Sequence, residues 1–155
     1  DILKVQTSEV STKLKQNLET LEEYKLKISN FRKDELIKLT QDYSAKSSKI
    51  GKYNVIIETI SLENTNESKE VASNMVNNFD VDICILFSNI SGKTTIVGST
   101  KPSVDLDISI ITNDLSSLYG GGASKDPNLS IGGGPGKYET SKAIDVAIKS
   151  LTKLL

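Results

Sequence analysis

Tyr119-Gly120-Gly121-Gly122-Ala123-Ser124-Lys125-Asp126-Pro127-Asn128-Leu129-Ser130-Ile131-Gly132-Gly133-Gly134-Pro135-Gly136-Lys137 holds seven of the chain's ten glycines. Glycine carries no Cβ, so other main chain can approach it closely. Two triplets within one short window mark a place where the backbone must be bare. Two uses fit that requirement. Exposed N–H groups in glycine loops and at helix N-termini attract phosphate, and glycine also lets a helix cross tightly over a strand. Lys125 and Lys137 would add charge to the first use.

Upstream of this window the periodicity gives a series of regular elements. Residues 105–118 carry Val104, Ile108, Ile111, Leu115 and Leu118 at helical spacing, although Asp/Ile alternation makes a strand the competing assignment for the first half. Gly120 then stands where a helix C-terminus favours φ > 0. Residues 81–88 (VDICILFS) form the most hydrophobic run and read as a central strand buried on both faces. Ser91-Gly92-Lys93 is a turn, and residues 94–98 return as an antiparallel partner. Gly92-Lys93-Thr94 has the look of a P-loop ending, but the glycine required five residues earlier is Phe87, so the stretch is a hairpin and not a nucleotide cradle. Residues 68–79 read as a helix and 54–62 (NVIIETISL) as a strand. Downstream, residues 128–131 form a short extended piece between the glycine triplets. A last helix is expected from about Lys137, with Ile144, Ile148, Leu151 and Leu155 inward and Lys142, Lys149 and Lys153 outward.

The first third differs in character. Residues 2–5 read as an extended lead-in, and Thr7-Ser8-Glu9 offers a helix start. No Gly or Pro follows until Gly51, which is placed to end the helical region. Val10, Leu14, Leu18, Leu21, Tyr24, Ile28 and Phe31 recur every three or four residues. Ser29-Asn30 is a plausible bend between two helices. One narrow stripe on so long an element needs a partner, from its own hairpin, from a second chain or from the globular part. The expected architecture is α/β (α+β): an N-terminal helical arm over residues 1–50, either one bent helix or helix-loop-helix, then a small mixed β-sheet with covering helices over residues 51–155.

Composition narrows the function. Histidine is absent, which removes Ser-His-Asp and Cys-His catalysis and histidine zinc sites from this chain. The single Cys84 lies in an apolar run and reads as a small core residue. No apolar run approaches the roughly 20 residues of a membrane span. Asp1 in place of methionine suggests a piece of a longer chain. The net charge of −1 is uneven: residues 1–50 carry +2, residues 51–120 carry −5 and residues 121–155 carry +2. The basic end coincides with the glycine stretch and points weakly to a phosphate-bearing partner.

Gly120-Gly121-Gly122, then Pro127-Asn128-Leu129-Ser130-Ile131, then Gly132-Gly133-Gly134-Pro135 resembles the glycine-rich signature of the DHH-associated domain. That domain forms the C-terminal part of alanyl-tRNA synthetases and recurs in RecJ-type exonucleases. The opening Ile2-Leu3-Lys4-Val5 and Ser8-Glu9-Val10, followed by a Lys/Glu-rich helix, looks like the entry to this domain in archaeal synthetases. Here Ala123-Ser124 interrupts the glycine run, and Asp126 stands where a basic residue is typical. The resemblance implies a cytoplasmic tRNA-binding domain without chemistry of its own, which holds the outer corner of tRNA(Ala) for aminoacylation and editing. It implies RNA contacts at Gly120, Gly121, Gly122, Lys125, Gly132, Gly133, Gly134, Lys137 and Lys142, and dimer contacts along Val10, Leu14, Leu18, Leu21, Tyr24 and Ile28. No cofactor or metal is expected in this stretch; ATP, Mg and Zn would serve other domains of such a synthetase. Two alternatives remain: the accessory domain of a DHH-type phosphoesterase, and a purely structural oligomerisation module.

Overall fold

A computed structural model describes residues 9–155. The expected lead-in at 2–5 and the helix-start residues Thr7 and Ser8 lie outside the described residues. The chain divides into two compact units, one ending at residue 37 and one spanning residues 38–155.

Helix α1 runs unbroken from Val10 to Ser44. No break falls at Ser29-Asn30. Serine and asparagine cost only tenths of a kcal/mol in a helix interior, and the strong formers around them (Lys25, Leu26, Lys27, Lys33, Glu35) carry the helix through. An Arg32–Glu35 ion pair at 2.6 Å, one turn apart, adds a little more. Gly51 does not end the helix. The last turn tightens at Ala45 and Lys46, whose N–H groups donate to the carbonyls of Gln41 and Tyr43. Gly51, at φ +61°, instead opens a two-residue turn between β1 (Ser48–Ile50) and β2 (Tyr53–Thr59).

From β2 the chain crosses through α2 (Thr65–Asn78) to the parallel strand β3 (Ile83–Ile90). Helix α2 starts three residues before the expected Ser68, because Asn64 caps it. The Asn64 Oδ1 accepts from the Glu67 N–H at 3.0 Å, and Glu67 Oε2 reaches back to the Glu63 N–H at 2.9 Å. Strand β3 turns through Ser91 (φ 52°) and Gly92 (φ 76°) into β4 (Lys93–Thr100); the hairpin is the expected one, but its turn has two residues, and Lys93, expected in the turn, pairs with Ile90 in the strand.

Helix α3 (Ile108–Leu118) begins at Asp107, whose Oδ1 accepts from the Ser109 N–H at 3.0 Å, so residues 105–107 are not helical. The chain then forms β5 (Gly122–Ala123), β6 (Leu129–Gly134) and α4 (Thr140–Leu154). The sheet order is β1-β2-β3-β4-β6-β5, antiparallel throughout except β2 with β3.

The strand period of two sorts β3 between two layers. Ile83, Ile85 and Phe87 face α3 and α4, joining Val55, Ile96, Ile108, Ile111, Leu115, Tyr119, Ala143, Ala147 and Leu151. Cys84 faces α2, its Sγ 3.5 Å from Met75 Sδ; it is fully buried, as the apolar run implies, and burial pushes its thiol pKa up. The buried face of helix α4 is rotated from the expected one: Leu151 is in the core and Ile144 packs against it, as expected, but Ile148 and Leu155 do not. Ala143, Ala147 and Leu151 are inward, whereas Ile148 is 40% and Leu155 39% exposed. Small side chains let α4 sit close to α3 and the sheet, which larger residues at 143 and 147 would prevent.

Asp82 ties three strands together where they begin and end. Its Oδ2 accepts from the Asn54 N–H at 2.9 Å and its Oδ1 from Lys101 Nζ at 3.1 Å. The backbone bond, with Lys101 beside it, outweighs partial burial and holds the Asp82 carboxyl below the usual carboxylate range.

Candidate nucleic-acid interface

The glycine stretch is built outward from the end of α3. Tyr119 caps that helix, with its ring buried in the core and edge-on to Tyr138 at 5.8 Å. Gly120 follows at φ +74°, as its position after the helix requires. The Gly120 N–H donates to the Ser117 carbonyl and the Gly121 N–H to the Ser116 carbonyl, at 3.0 and 3.1 Å, which is a Schellman closure.

The second triplet is strand, not the approach to a helix. Gly132, Gly133 and Gly134 end β6, where they pair with Ile96, Thr95 and Thr94 of β4 on one side. On the other side Gly132 and Gly133 pair with Ala123 and Gly122 of β5. The two triplets therefore lie against one another. A Cβ at Gly121 would meet the Gly133 carbonyl, one at Gly132 the Ser116 hydroxyl, and one at Gly134 the Tyr119 carbonyl. Gly136 is held the same way, its N–H donating to the Tyr119 carbonyl at 2.8 Å. Close packing of β6 on the end of α3 thus accounts for Gly121, Gly132, Gly134 and Gly136 without any ligand. Gly122 is different: a Cβ there would find only Asn113 Oδ1, at 3.6 Å.

The residues between the triplets close the hairpin. The Ser124 Oγ accepts from the Ile131 N–H at 2.9 Å, and the Ser130 hydroxyl donates to the Ser124 carbonyl at 2.7 Å. Asp126 Oδ1 accepts from the N–H groups of Asn128 and Leu129 at 2.9 and 3.0 Å, and these bonds hold its carboxyl below the usual range. Asp126 and Ser124, two of the departures from the glycine signature, are loop-closing residues here.

The lysines have mixed surroundings. Lys125 is exposed and lines a groove of about 380 Å³ with Ile110, Asn113, Ala123 and the carboxylates of Asp107 and Asp114. Lys137 is exposed in the link between β6 and α4. Lys142 pairs with Glu139 at 2.8 Å, and that contact, with a bond from Ser141, lowers the Glu139 pKa. Helix α4 starts at Thr140 rather than near Lys137, with Glu139 at its N-cap, so Gly132–Gly134 does not lead directly into a helix N-terminus. The groove residues Asn113 and Asp114 were not singled out in the sequence. Their signal was the exposed face of α3, polar at 107, 113 and 114.

Along α1, Leu14, Leu18, Leu21, Tyr24, Ile28 and Phe31 are all about half exposed or more, up to 76% at Phe31, and Val10 is half-buried. Among the described residues no helix is long and apolar enough to cross a membrane.

Part of this chain has a fold similar to that of solved structures. The C-Ala domain of alanyl-tRNA synthetase from Aquifex aeolicus is similar, with a TM-score of 0.62 at 15% identity, over 69% of this chain and 98% of that domain. An exopolyphosphatase-related protein from Bacteroides fragilis also aligns, with a TM-score of 0.49 at 14% identity, over 77% of this chain and 35% of that one. Neither a family model nor a curated protein sequence matches the chain.

Proposed function

We propose that this chain is the C-terminal tRNA-binding and dimerisation domain of an alanyl-tRNA synthetase of archaeal type. The observation that supports this is the fold it shares with nearly the whole of the Aquifex aeolicus C-Ala domain, joined to the glycine signature at 120–134. The globular part, residues 51–155, holds the outer corner of tRNA(Ala). Gly120, Gly121 and Gly122 present backbone to the RNA beside Gly132, Gly133 and Gly134, and Lys125, Lys137 and Lys142 contact phosphates. Folded RNA is recognised largely by shape and backbone, which suits bare main chain and modest charge. Residues 1–50 pair with a second copy through Val10, Leu14, Leu18, Leu21, Tyr24 and Ile28. The aminoacylation and editing chemistry, with its ATP, Mg and Zn, belongs to other domains of the parent enzyme, which works in the cytoplasm.

Filter binding with tRNA(Ala) tests the surface. Lys125→Glu with Lys137→Glu should weaken binding by an order of magnitude, and unchanged binding would remove these lysines from it. For the arm, Leu21→Glu with Ile28→Glu should convert a dimer to a monomer in sedimentation equilibrium.

A further inference from the structure

We propose that the β1–β2 hairpin carries a second RNA-backbone contact, built from Lys46, Lys49 and Lys52 beside Tyr43 and Tyr53. The inference rests on the tRNA-binding reading above and adds a surface to it. From Tyr43 to Ile57 the sequence has three lysines and no carboxylate. All three lysines are exposed, and none makes an ion pair among the described residues. Two of the three lysines at the glycine stretch have carboxylates beside them: Lys142 is paired with Glu139, and Lys125 shares its groove with Asp107 and Asp114.

The hairpin also has a shape. Lys46 and Lys49 border a groove of about 250 Å³ whose lining includes the apolar side chains of Ile50, Ile57 and Ile148, with Glu58 its one acid. Strand β1 is an edge strand, with no strand paired on its outer side. Two tyrosine rings lie among the lysines. Lys46 Nζ sits 4.1 Å from the centroid of Tyr43, and Lys52 Nζ sits 5.1 Å from that of Tyr53. The Tyr43 hydroxyl reaches the Thr59 carbonyl at 3.5 Å, which orients that ring. Ammonium groups held over rings at the rim of an apolar groove match a phosphodiester backbone, with phosphates on the lysines and a ribose edge over the groove floor. A lysine on an edge strand also guards against strand pairing. That role would leave RNA affinity untouched, so salt dependence separates the two.

The test is a salt titration of tRNA(Ala) binding to the 155-residue chain, wild type against Lys46→Gln/Lys49→Gln/Lys52→Gln. Each phosphate contact contributes about 0.7–0.9 to the slope of log K against log salt concentration. Loss of three contacts should flatten that slope by about two to three and weaken binding at least tenfold at low salt. An unchanged slope and affinity, with Lys125→Glu/Lys137→Glu still impaired, overturns the hairpin contact and leaves the tRNA-binding reading standing. No binding by the wild type overturns both. If the triple variant does not fold, Lys49→Gln alone should flatten the slope by about 0.8, and an unchanged slope there overturns the contact equally.

Discussion

Replacing Gly134 with alanine is the sharpest test of how the glycine stretch is built. The new Cβ would lie 2.7 Å from the Tyr119 carbonyl carbon and 2.9 Å from the Gly121 nitrogen, and closer still to the Tyr119 oxygen. All three are backbone atoms, and none can rotate away. The Tyr119 carbonyl also accepts from the Gly136 N–H at 2.8 Å, and Gly121 is fixed by the Schellman bond to Ser116. Relief therefore requires β6 to move off the end of α3, an overpacking cost of about 1–3 kcal/mol. For a domain of this size that is a fall in Tm of roughly 3–10 °C. Gly122→Ala is the matched control. Its Cβ would make only ordinary contact with Asn113 Oδ1 at 3.6 Å, and Gly122 is not among the glycines with positive φ. That variant should lie within about 0.5 kcal/mol of wild type. Thermal and urea unfolding followed by circular dichroism measure both. Equal midpoints for Gly134→Ala and wild type would refute the close-packing account, as would a loss at Gly122 as large as that at Gly134.

Other outcomes follow from single contacts. Asp82→Ala should cost about 1–2 kcal/mol by removing the acceptor of the Asn54 and Lys101 bonds. Because the folded-state pKa of Asp82 is lowered, its stabilisation is present above the ordinary carboxylate value of about 4 and fades as pH falls through the folded value. Urea midpoints of the variant should therefore depend less on pH below about 4 than those of wild type, and parallel curves would contradict this assignment. Tyr119→Phe removes a buried hydroxyl with no hydrogen-bond partner among the described residues, so it should be neutral or stabilise by up to about 1 kcal/mol; a loss above that in thermal melts would show that the hydroxyl is satisfied. Cys84 should resist a thiol reagent such as DTNB in the native state and react fully in denaturant, since its thiol is buried and its pKa raised; rapid native labelling would count against the buried placement.

Where a pattern was long or strongly periodic, the sequence disclosed the structure. Residues 83–88 of the run at 81–88 lie in β3, the hairpin at Ser91-Gly92 formed where its turn chemistry demanded, and the helices α2 and α3 differ from expectation mainly at their starts. Three residues of β1 were hidden because Ser48 and Lys49 carry no strand preference; only pairing with β2 makes them a strand. The strand at Gly132–Gly134 ran against propensity altogether. Nothing local favours extended glycine, and its reason is the approach of Tyr119 and Thr94 backbone from two distant parts of the chain. Helix α4 differs in part for a related reason: two of its three buried residues are alanines, which hydrophobicity ranks below the isoleucine at 148. At the candidate site the glycines and Lys125 were visible as types, but not that the triplets pack on each other or that two carboxylates border Lys125. Lys46, Lys49 and Lys52 are not legible as a group from the sequence, because only the end of α1 at Ser44 and the β1–β2 pairing put them on one hairpin.

The most direct test of tRNA binding is a titration of the whole chain with tRNA(Ala) and with a duplex RNA of equal length, at matched salt. Tighter binding of the tRNA, by tenfold or more, is the predicted result, since the proposed surface reads a folded corner that the duplex lacks. Equal affinity for the two RNAs, or binding to neither, would contradict the account.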